Sequence, residues 1–351
     1  MASQDDATKP GKCSSSQQHT AALLRLKKNM RQLWLPSEVA RYPADELDAL
    51  RFLRDHVSAS VPAIITNCHD SSWPCLNRWT DEYLLQKASS SSVSVNVTPG
   101  GLGDFVDEQG RFVKPCEEKL PFSEFWQWLT QPDKADECPQ RVSRTGIPYL
   151  SQQNDSLRQE LPELLDDVPA SVPLGVEAFG NEPDAVNLWI GDERAVSSCH
   201  KDFYENLYLV VRGEKRFTLL PPAAVPFLHE KMCTPAHFER SGSEFVVVED
   251  SPPDTDPVPW IPFDVTVDTM AMEKSFPRFA KAPVIEAVVR KGEMLYLPAM
   301  WYHRVAQQGL TIAVNYWHDM NFGAGYVMYQ FVRDIEGLDG NEVSDDSDES
   351  D

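Results

Sequence analysis

The sequence is short of positive charge. Against 54 aspartates and glutamates stand 32 lysines and arginines, a formal net charge of −22 at pH 7. A surface of that sign repels a phosphate backbone, which argues against nucleic acid and favours a cationic polypeptide as partner. Cysteine pairs at metal-knuckle spacing are missing as well. The seven cysteines, at 13, 68, 75, 116, 138, 199 and 233, contain no Cys-x-x-Cys and form an odd set. That speaks against a zinc knuckle and against a secreted disulfide framework. No apolar run is long enough to cross a bilayer, and the first twenty residues lack the apolar core of a signal peptide. These absences predict an intracellular protein, cytosolic or nuclear, with reduced thiols and no membrane span.

What is present is a globular composition. With 42% apolar and 10% aromatic residues in 351, the chain can bury a large core without staples. Residues 1–20 are polar and expected to be disordered. Residues 21–135 read as a helical and strand region packing on a core, 136–320 as a strand-rich domain, 321–337 as a C-terminal helix and 338–351 as an acidic, disordered tail. The last thirteen residues hold seven acids and no base; Ser344, Ser347 and Ser350 lie among them.

Leu23, Leu26, Met30 and Leu33 fall at helical spacing with Arg25, Lys27, Lys28 and Arg31 between them, predicting a basic amphipathic helix that docks on its own domain. Pro43 to Glu46 opens a second helix with Leu47, Leu50, Leu53 and Val57 on one face. A short strand follows at 62–67, and Trp73 and Trp79 read as core aromatics. Helices are expected at 81–87 and 121–129, strands at 93–97 and 147–150, and an irregular stretch rich in Glu, Leu and Pro before a strand at 185–190. The apolar runs 207–211 and 217–220 flank Arg212-Gly213 and predict a β-hairpin. Residues 223–283 form a long proline-rich insertion with one strand at 245–248, a length typical of a lid or substrate-facing wall. Strands at 285–289, 293–297, 302–305 and 311–317 and a helix at 326–335 complete the chain. Many short strands with such punctuation predict a mainly β fold with flanking helices, of jelly-roll type.

The chemistry begins at His200-Lys-Asp202. On an extended strand, residues two apart point to the same side, so an imidazole and a carboxylate meet at one point. Two histidines and one carboxylate on one face of an octahedron leave the opposite face open, as Fe(II) oxygenases require. For the third ligand, His56 and His69 belong to the helical half, and nothing fixes the direction of His229 and His237 in the insertion. His318 shares no face with Asn315 and Trp317 and falls at a strand end expected to be exposed. His303 follows a strand, a proline bend and the pair Trp301-Tyr302, which lead it back toward His200. Glu205, five residues from His200, faces the other way, so Asp202 is the carboxylate of choice. Lys215 lies inside a strand, where an ammonium needs an anionic partner.

These residues resemble a family. His200-Lys-Asp202 with Asn206 and Lys215, then Gly292-Glu-Met-Leu-Tyr-Leu-Pro-Ala-Met-Trp-Tyr-His303, and Asn315-Tyr-Trp317 are similar to the JmjC domain of the small cupin-like 2-oxoglutarate oxygenases. Asp184 to Gly191, Asp202 to Tyr208 and Val258 to Pro262 resemble its protein lysyl hydroxylases. The likeness runs over roughly residues 35–335 and implies a double-stranded β-helix. It implies iron ligands His200, Asp202 and His303, and Lys215 on the distal carboxylate of 2-oxoglutarate with help from Ser197 and Tyr149. Asn206 and Asn315 would lie beside the keto-acid end, with Trp317 walling the pocket.

Cofactors and activity follow from the same likeness. Fe(II), 2-oxoglutarate and O2 would yield succinate, CO2 and a hydroxylated side chain, the metal and co-substrate carrying the hard chemistry. Within the family the implied reaction is (3S)-hydroxylation of a lysine in a GTPase of the developmentally regulated GTP-binding class. A histone-tail demethylase or a peptidase is the alternative enzyme reading, although the sequence shows neither a histone-reader module nor a nucleophile constellation. A non-catalytic cupin scaffold would have lost a ligand or Lys215. The terminal helix offers a surface on which two copies can pair as a homodimer.

Overall fold

The computed structural model describes residues 15–68, 73–131, 145–266 and 269–338. Among them the strands in chain order are β1 (Ala40–Pro43), β2 (Ala63–Thr66), β3 (Ser92–Thr98), β4 (Leu102–Gly103), β5 (Phe105–Val106), β6 (Arg111–Lys114), β7 (Cys116–Pro121) and β8 (Ile147–Tyr149). The second half of the chain adds β9 (Ala185–Gly191), β10 (Val196–His200), β11 (Tyr204–Leu220), β12 (Lys231–Ser241), β13 (Glu244–Glu249), β14 (Val258–Trp260), β15 (Ile285–Arg290), β16 (Met294–Leu297) and β17 (Tyr302–Asp319).

Two long antiparallel strands, β11 and β17, form the spine. The first half of β11 lies between β16 and the second half of β17, which in turn carries β9 on its far side. The second half of β11 lies between β15 and the first half of β17, which carries β10. Each long strand thus serves two sets of neighbours and turns the sheet into a jelly roll, the expected fold class. Alternation along β11 separates two cores: Leu207, Leu209 and Val211 join one that includes the helical layer, while Tyr208, Val210, Phe217 and Leu219 join the other.

The expected hairpin at 207–220 does not form. Arg212-Gly213 is an irregularity within the single strand β11, with register shifts on both sides of Arg212. Gly213 takes φ 75°, and a Cβ there would sit 2.5 Å from Thr311 Oγ1 and 2.7 Å from the Leu310 carbonyl. A bulge and a hairpin turn both call for glycine at positive φ; here an uninterrupted partner strand decides for the bulge. For the same reason the two strands expected at 302–305 and 311–317 are one, with Gly309 at φ 66° inside it.

Elsewhere the boundaries move. The first helix starts at Ser15, inside the segment expected to be disordered, and ends in a wide turn at Met30–Trp34. That turn shifts the helical face, so Met30 is buried, Trp34 packs on the core and Leu33 is left 80% exposed. The helix expected from Pro43 breaks at Leu47 and restarts at Ala49, where Asp48 accepts from the Arg51 amide. Phe52 and His56 then face inward and Leu50 outward, against the single face expected. The stretch before β9 is not irregular: it holds helices at Ser156–Glu160 and Pro173–Phe179 around a 3-10 turn.

The insertion at 223–283 is more ordered than expected, contributing β12, β13, β14 and a helix at Thr269–Ser275. β12 runs parallel to β6, so the insertion and the N-terminal region build one sheet beside the roll. The C-terminal helix, Ala324–Glu336, buries Tyr329 and Arg333 but exposes Val327, Met328, Phe331 and Ile335. His69 and residues 339–351 of the acidic tail lie outside the described residues.

Gly213→Ala is predicted to lower the unfolding free energy by about 2 kcal/mol or more, through positive-φ strain and the Thr311 clash. Gly309→Ala, with nothing within 4 Å of the added carbon, should lose only about 1 kcal/mol. Urea denaturation of both variants checks the bulge; equal losses would remove its steric basis.

Candidate active site

The register of one strand pair assembles the centre. In the β10–β17 ladder His200 stands directly opposite His303, with ring centroids 4.3 Å apart. Asp202 follows two residues after His200, its backbone carbonyl accepting from the Met300 amide at 2.8 Å. One Asp202 oxygen lies 3.9 Å from His200 Nε2 and 3.5 Å from His303 Nε2. One donor atom from each of the three falls within 4.8 Å of the others, the single such group among the described residues.

The three side chains fit a divalent metal by their own chemistry. His200 Nδ1 is 2.7 Å from the Ser198 carbonyl, and His303 Nδ1 is 2.9 Å from the Trp301 carbonyl. A ring N–H donated to a carbonyl at Nδ1 leaves the lone pair on Nε2, the nitrogen that faces Asp202. Burial, reinforced by the neighbouring His200, lowers the His303 imidazole to about 4 despite the opposing pull of Asp202, so at neutral pH it is an uncharged donor. Nitrogen, nitrogen and carboxylate oxygen on one side suit Fe(II) with open positions.

A narrow cleft leads inward from this centre, lined by Tyr149, Trp189, Ser197, Asn206, Tyr208 and Trp317 among others. Trp317 Nε1 is buried there with no hydrogen-bond partner among the described residues, a donor whose burial is costly until something accepts from it. Asn315 stands behind the wall, accepting from Trp189 Nε1 at 2.8 Å and donating to Asn206 Oδ1 at 3.1 Å. Behind the lining residue Tyr149, Lys215 is 1% exposed. Its ammonium donates to Tyr149 Oη at 2.9 Å and to Gln307 Oε1 at 2.5 Å, and Ser197 and Tyr208 line the cleft beside Tyr149. Neither partner of Lys215 is a carboxylate, and burial pushes its amine down to about 7. A buried ammonium whose partners are neutral is one that an anionic ligand would stabilise.

Outward, the centre opens into a groove of about 830 Å3 whose walls come from β6, β12, β14 and the segment 151–153. Trp260 of the insertion stacks on His200 at an interplanar angle of 3°, and its Nε1 donates to Ser198 Oγ at 3.0 Å. The insertion is therefore a wall of the groove, as its length suggested. Asp104 borders the groove and the inner cleft alike. Burial raises its carboxyl above the ordinary range, with His200 and Lys114 pulling the other way.

A buried charge cluster braces the centre from behind. Lys201, between His200 and Asp202, turns away and places Nζ 3.1 Å from Glu230 Oε1. The same oxygen accepts from the Tyr302 hydroxyl at 2.7 Å, and Arg333 of the C-terminal helix donates to Oε2. Burial opposes charge on Glu230, but Lys201 and Arg333 hold its carboxyl below the usual range. Lys201 and Tyr302 are each adjacent in sequence to a triad histidine, so the helix is tied to both.

All nine residues singled out from the sequence lie at or beside this one site, Asn315 and Lys215 touching it through partners. Sequence reasoning missed Gln307, Trp189, Tyr208, Trp260 and Asp104. Gln307 was recoverable from strand pairing, since it lies opposite Lys215. His318 is not at an exposed strand end: it is buried, with Nδ1 3.0 Å from the Asn181 carbonyl, because the preceding helix at Pro173–Phe179 covers that end. His237 is fixed too, 2.5 Å from Asp250. Glu205 faces away from the centre, accepting from Tyr296 Oη at 2.8 Å.

Residues 49–324 match the family described as Cupin-like domain. Over 293 residues the chain is 40% identical to the Homo sapiens "Bifunctional peptidase and (3S)-lysyl hydroxylase JMJD7", covering 83% of this chain and 87% of that protein. It is 37% identical over 311 residues to the Dictyostelium discoideum "JmjC domain-containing protein E", covering 82% and 86%. It is 36% identical over 321 residues to the Arabidopsis thaliana "Lysine-specific demethylase JMJ32", covering 88% and 89%.

Lys215 generates a pH prediction. Its amine is depressed from 10.5 to about 7 in the folded protein, so between those values the unfolded chain holds more protons, and the cost of burying the ammonium falls as pH rises through the window. A bound dianion reverses the shift. Calorimetry of 2-oxoglutarate binding with Mn(II), in buffers of differing ionisation heat, should show uptake of about one proton near pH 8.5. Lys215→Met should abolish that uptake and weaken binding by at least about tenfold. Binding by the wild type with no proton uptake would contradict the assignment.

Proposed function

The chain belongs to the Cupin-like domain family, in its JmjC branch of Fe(II)- and 2-oxoglutarate-dependent oxygenases, and we propose that it is a protein hydroxylase acting on lysine. The observation that carries the proposal is the His200, Asp202 and His303 cluster between an outer groove of about 830 Å3 and an inner cleft whose wall residue Tyr149 accepts from the buried Lys215 ammonium.

In this reading His200, Asp202 and His303 hold Fe(II), which with 2-oxoglutarate and O2 supplies the oxidising chemistry that yields succinate and CO2. Lys215, with Tyr149 and Ser197, binds the distal carboxylate of the diacid and so sets its angle of approach to the triad. Asn206 and Asn315 would lie beside the keto-acid end, and Trp317 would wall the pocket. Trp189, Tyr208 and Trp317 keep water out of the cleft, and Trp260 holds the His200 ring in plane. The side chain presented from the groove reacts at whichever C–H is held nearest the triad, so placement decides the product.

The finer proposal is hydroxylation at C3 of a lysine in a GTPase of the developmentally regulated class. The resemblance to lysyl hydroxylases and the excess of acids over bases support it. Lysine demethylation is the runner-up, favoured by the names of several relatives. Incubating the Fe(II)-loaded protein with 2-oxoglutarate and candidate lysyl peptides, free and Nε-methylated, separates these by mass spectrometry. We expect gain of one oxygen on the unmethylated lysine, absent in His200→Ala. Loss of a methyl group would favour the demethylase, chain cleavage a peptidase, and no succinate at all a scaffold. The exposed Val327, Met328, Phe331 and Ile335 further support a homodimer through the C-terminal helix. Sedimentation equilibrium should find dimers that Phe331→Asp dissociates, and a monomeric wild type would end that part of the proposal.

A further inference from the structure

The proposed reaction leaves the target lysine with an unexplained problem. If C3 is held at the triad, the ammonium lies four bonds further along, about 5 Å away in an extended side chain, and it must stay charged or be neutralised inside a walled groove. A counter-charge within that reach is required, and most charges of the groove are already committed.

Lys114 pairs with Asp250 at 2.7 Å, and Arg240 donates to Glu118 at 2.7 Å. Glu239 lies 3.3 Å from His237, and Glu117 accepts from Gln152 at 2.9 Å. Asp202 belongs to the triad. Asp104 is different: among the described residues its carboxylate has no hydrogen-bond or ion-pair partner, and only its backbone carbonyl is engaged, by the Ser198 hydroxyl. It also stands where three cavities meet, lining the outer groove, the triad cleft and a smaller hollow beside Tyr149. Its position is held by the neighbouring β4, which pairs with β10 next to the triad.

We infer that Asp104 is the anchor for the substrate's ammonium, the residue that makes the groove select a lysine side chain over an uncharged one of equal length. This rests on the lysine reading above. Asp104 adopts φ 55°, a left-handed conformation that asparagine and glycine tolerate well. Asp104→Asn and Asp104→Gly therefore remove the charge at little conformational cost.

The test uses the full-length protein with Mn(II) and 2-oxoglutarate, without oxygen, on a peptide array carrying lysine at the centre of varied sequences and a matching array carrying norleucine. The wild type should prefer lysine by about tenfold or more. Both variants should lose that preference while still binding the norleucine peptides and 2-oxoglutarate. A lysine preference undiminished in both variants overturns the anchor and leaves the lysine reading standing. Equal loss on both arrays also overturns it, pointing to a structural role. Absence of any lysine preference in the wild type overturns the lysine reading and the anchor with it.

Discussion

The structure depends on one backbone pairing, the placement of His200 opposite His303 in the β10–β17 ladder. A strand pair has period two, so a slip of one residue would turn one imidazole to the other face and dissolve the cluster. The register is secured at a distance. β17 is locked along its length to β11, and β11 in turn to β15 and β16. Asp202 needs no strand of its own, because its carbonyl is tied to Met300 at the mouth of β17.

Two buried cations on either side of this pairing follow opposite rules. Lys201 shares the Glu230 carboxylate with Arg333, one oxygen each, and this ion-paired cluster braces the fold. Among the described residues Lys215 donates to neutral oxygens of Tyr149 and Gln307. A buried charge left without its complement costs stability, and such a cost is tolerated where a ligand offsets it. The contrast separates the bracing role of the first lysine from the binding role proposed for the second.

The triad residues were legible because their chemistry is local. His200 and Asp202 lie two apart on a strand, and the proline bend before His303 limits where that histidine can go. Lys215 was legible as an ammonium on a strand between the apolar runs 207–211 and 217–220, where burial calls for a partner. Gly213 misled because a hairpin and a bulge demand the same backbone conformation, and only the partner strand distinguishes them. His318 misled because its cover, the helix at Pro173–Phe179, lies in a stretch whose prolines and acids disguised its helices. Trp260 and Asp104 left no local signal, since their place at the site comes from the sheet that joins the insertion to the N-terminal region.

The sequence by itself determined the residue types at the centre, the strand-rich fold class and the family resemblance, because these rest on short-range spacing and side-chain chemistry. Tertiary structure alone decided which carboxylates are spoken for, which way each histidine's Nε2 faces, and that the proline-rich insertion walls the groove. Those are properties of pairing between segments distant in sequence, where a hydrogen bond made to one partner removes a group from every other use.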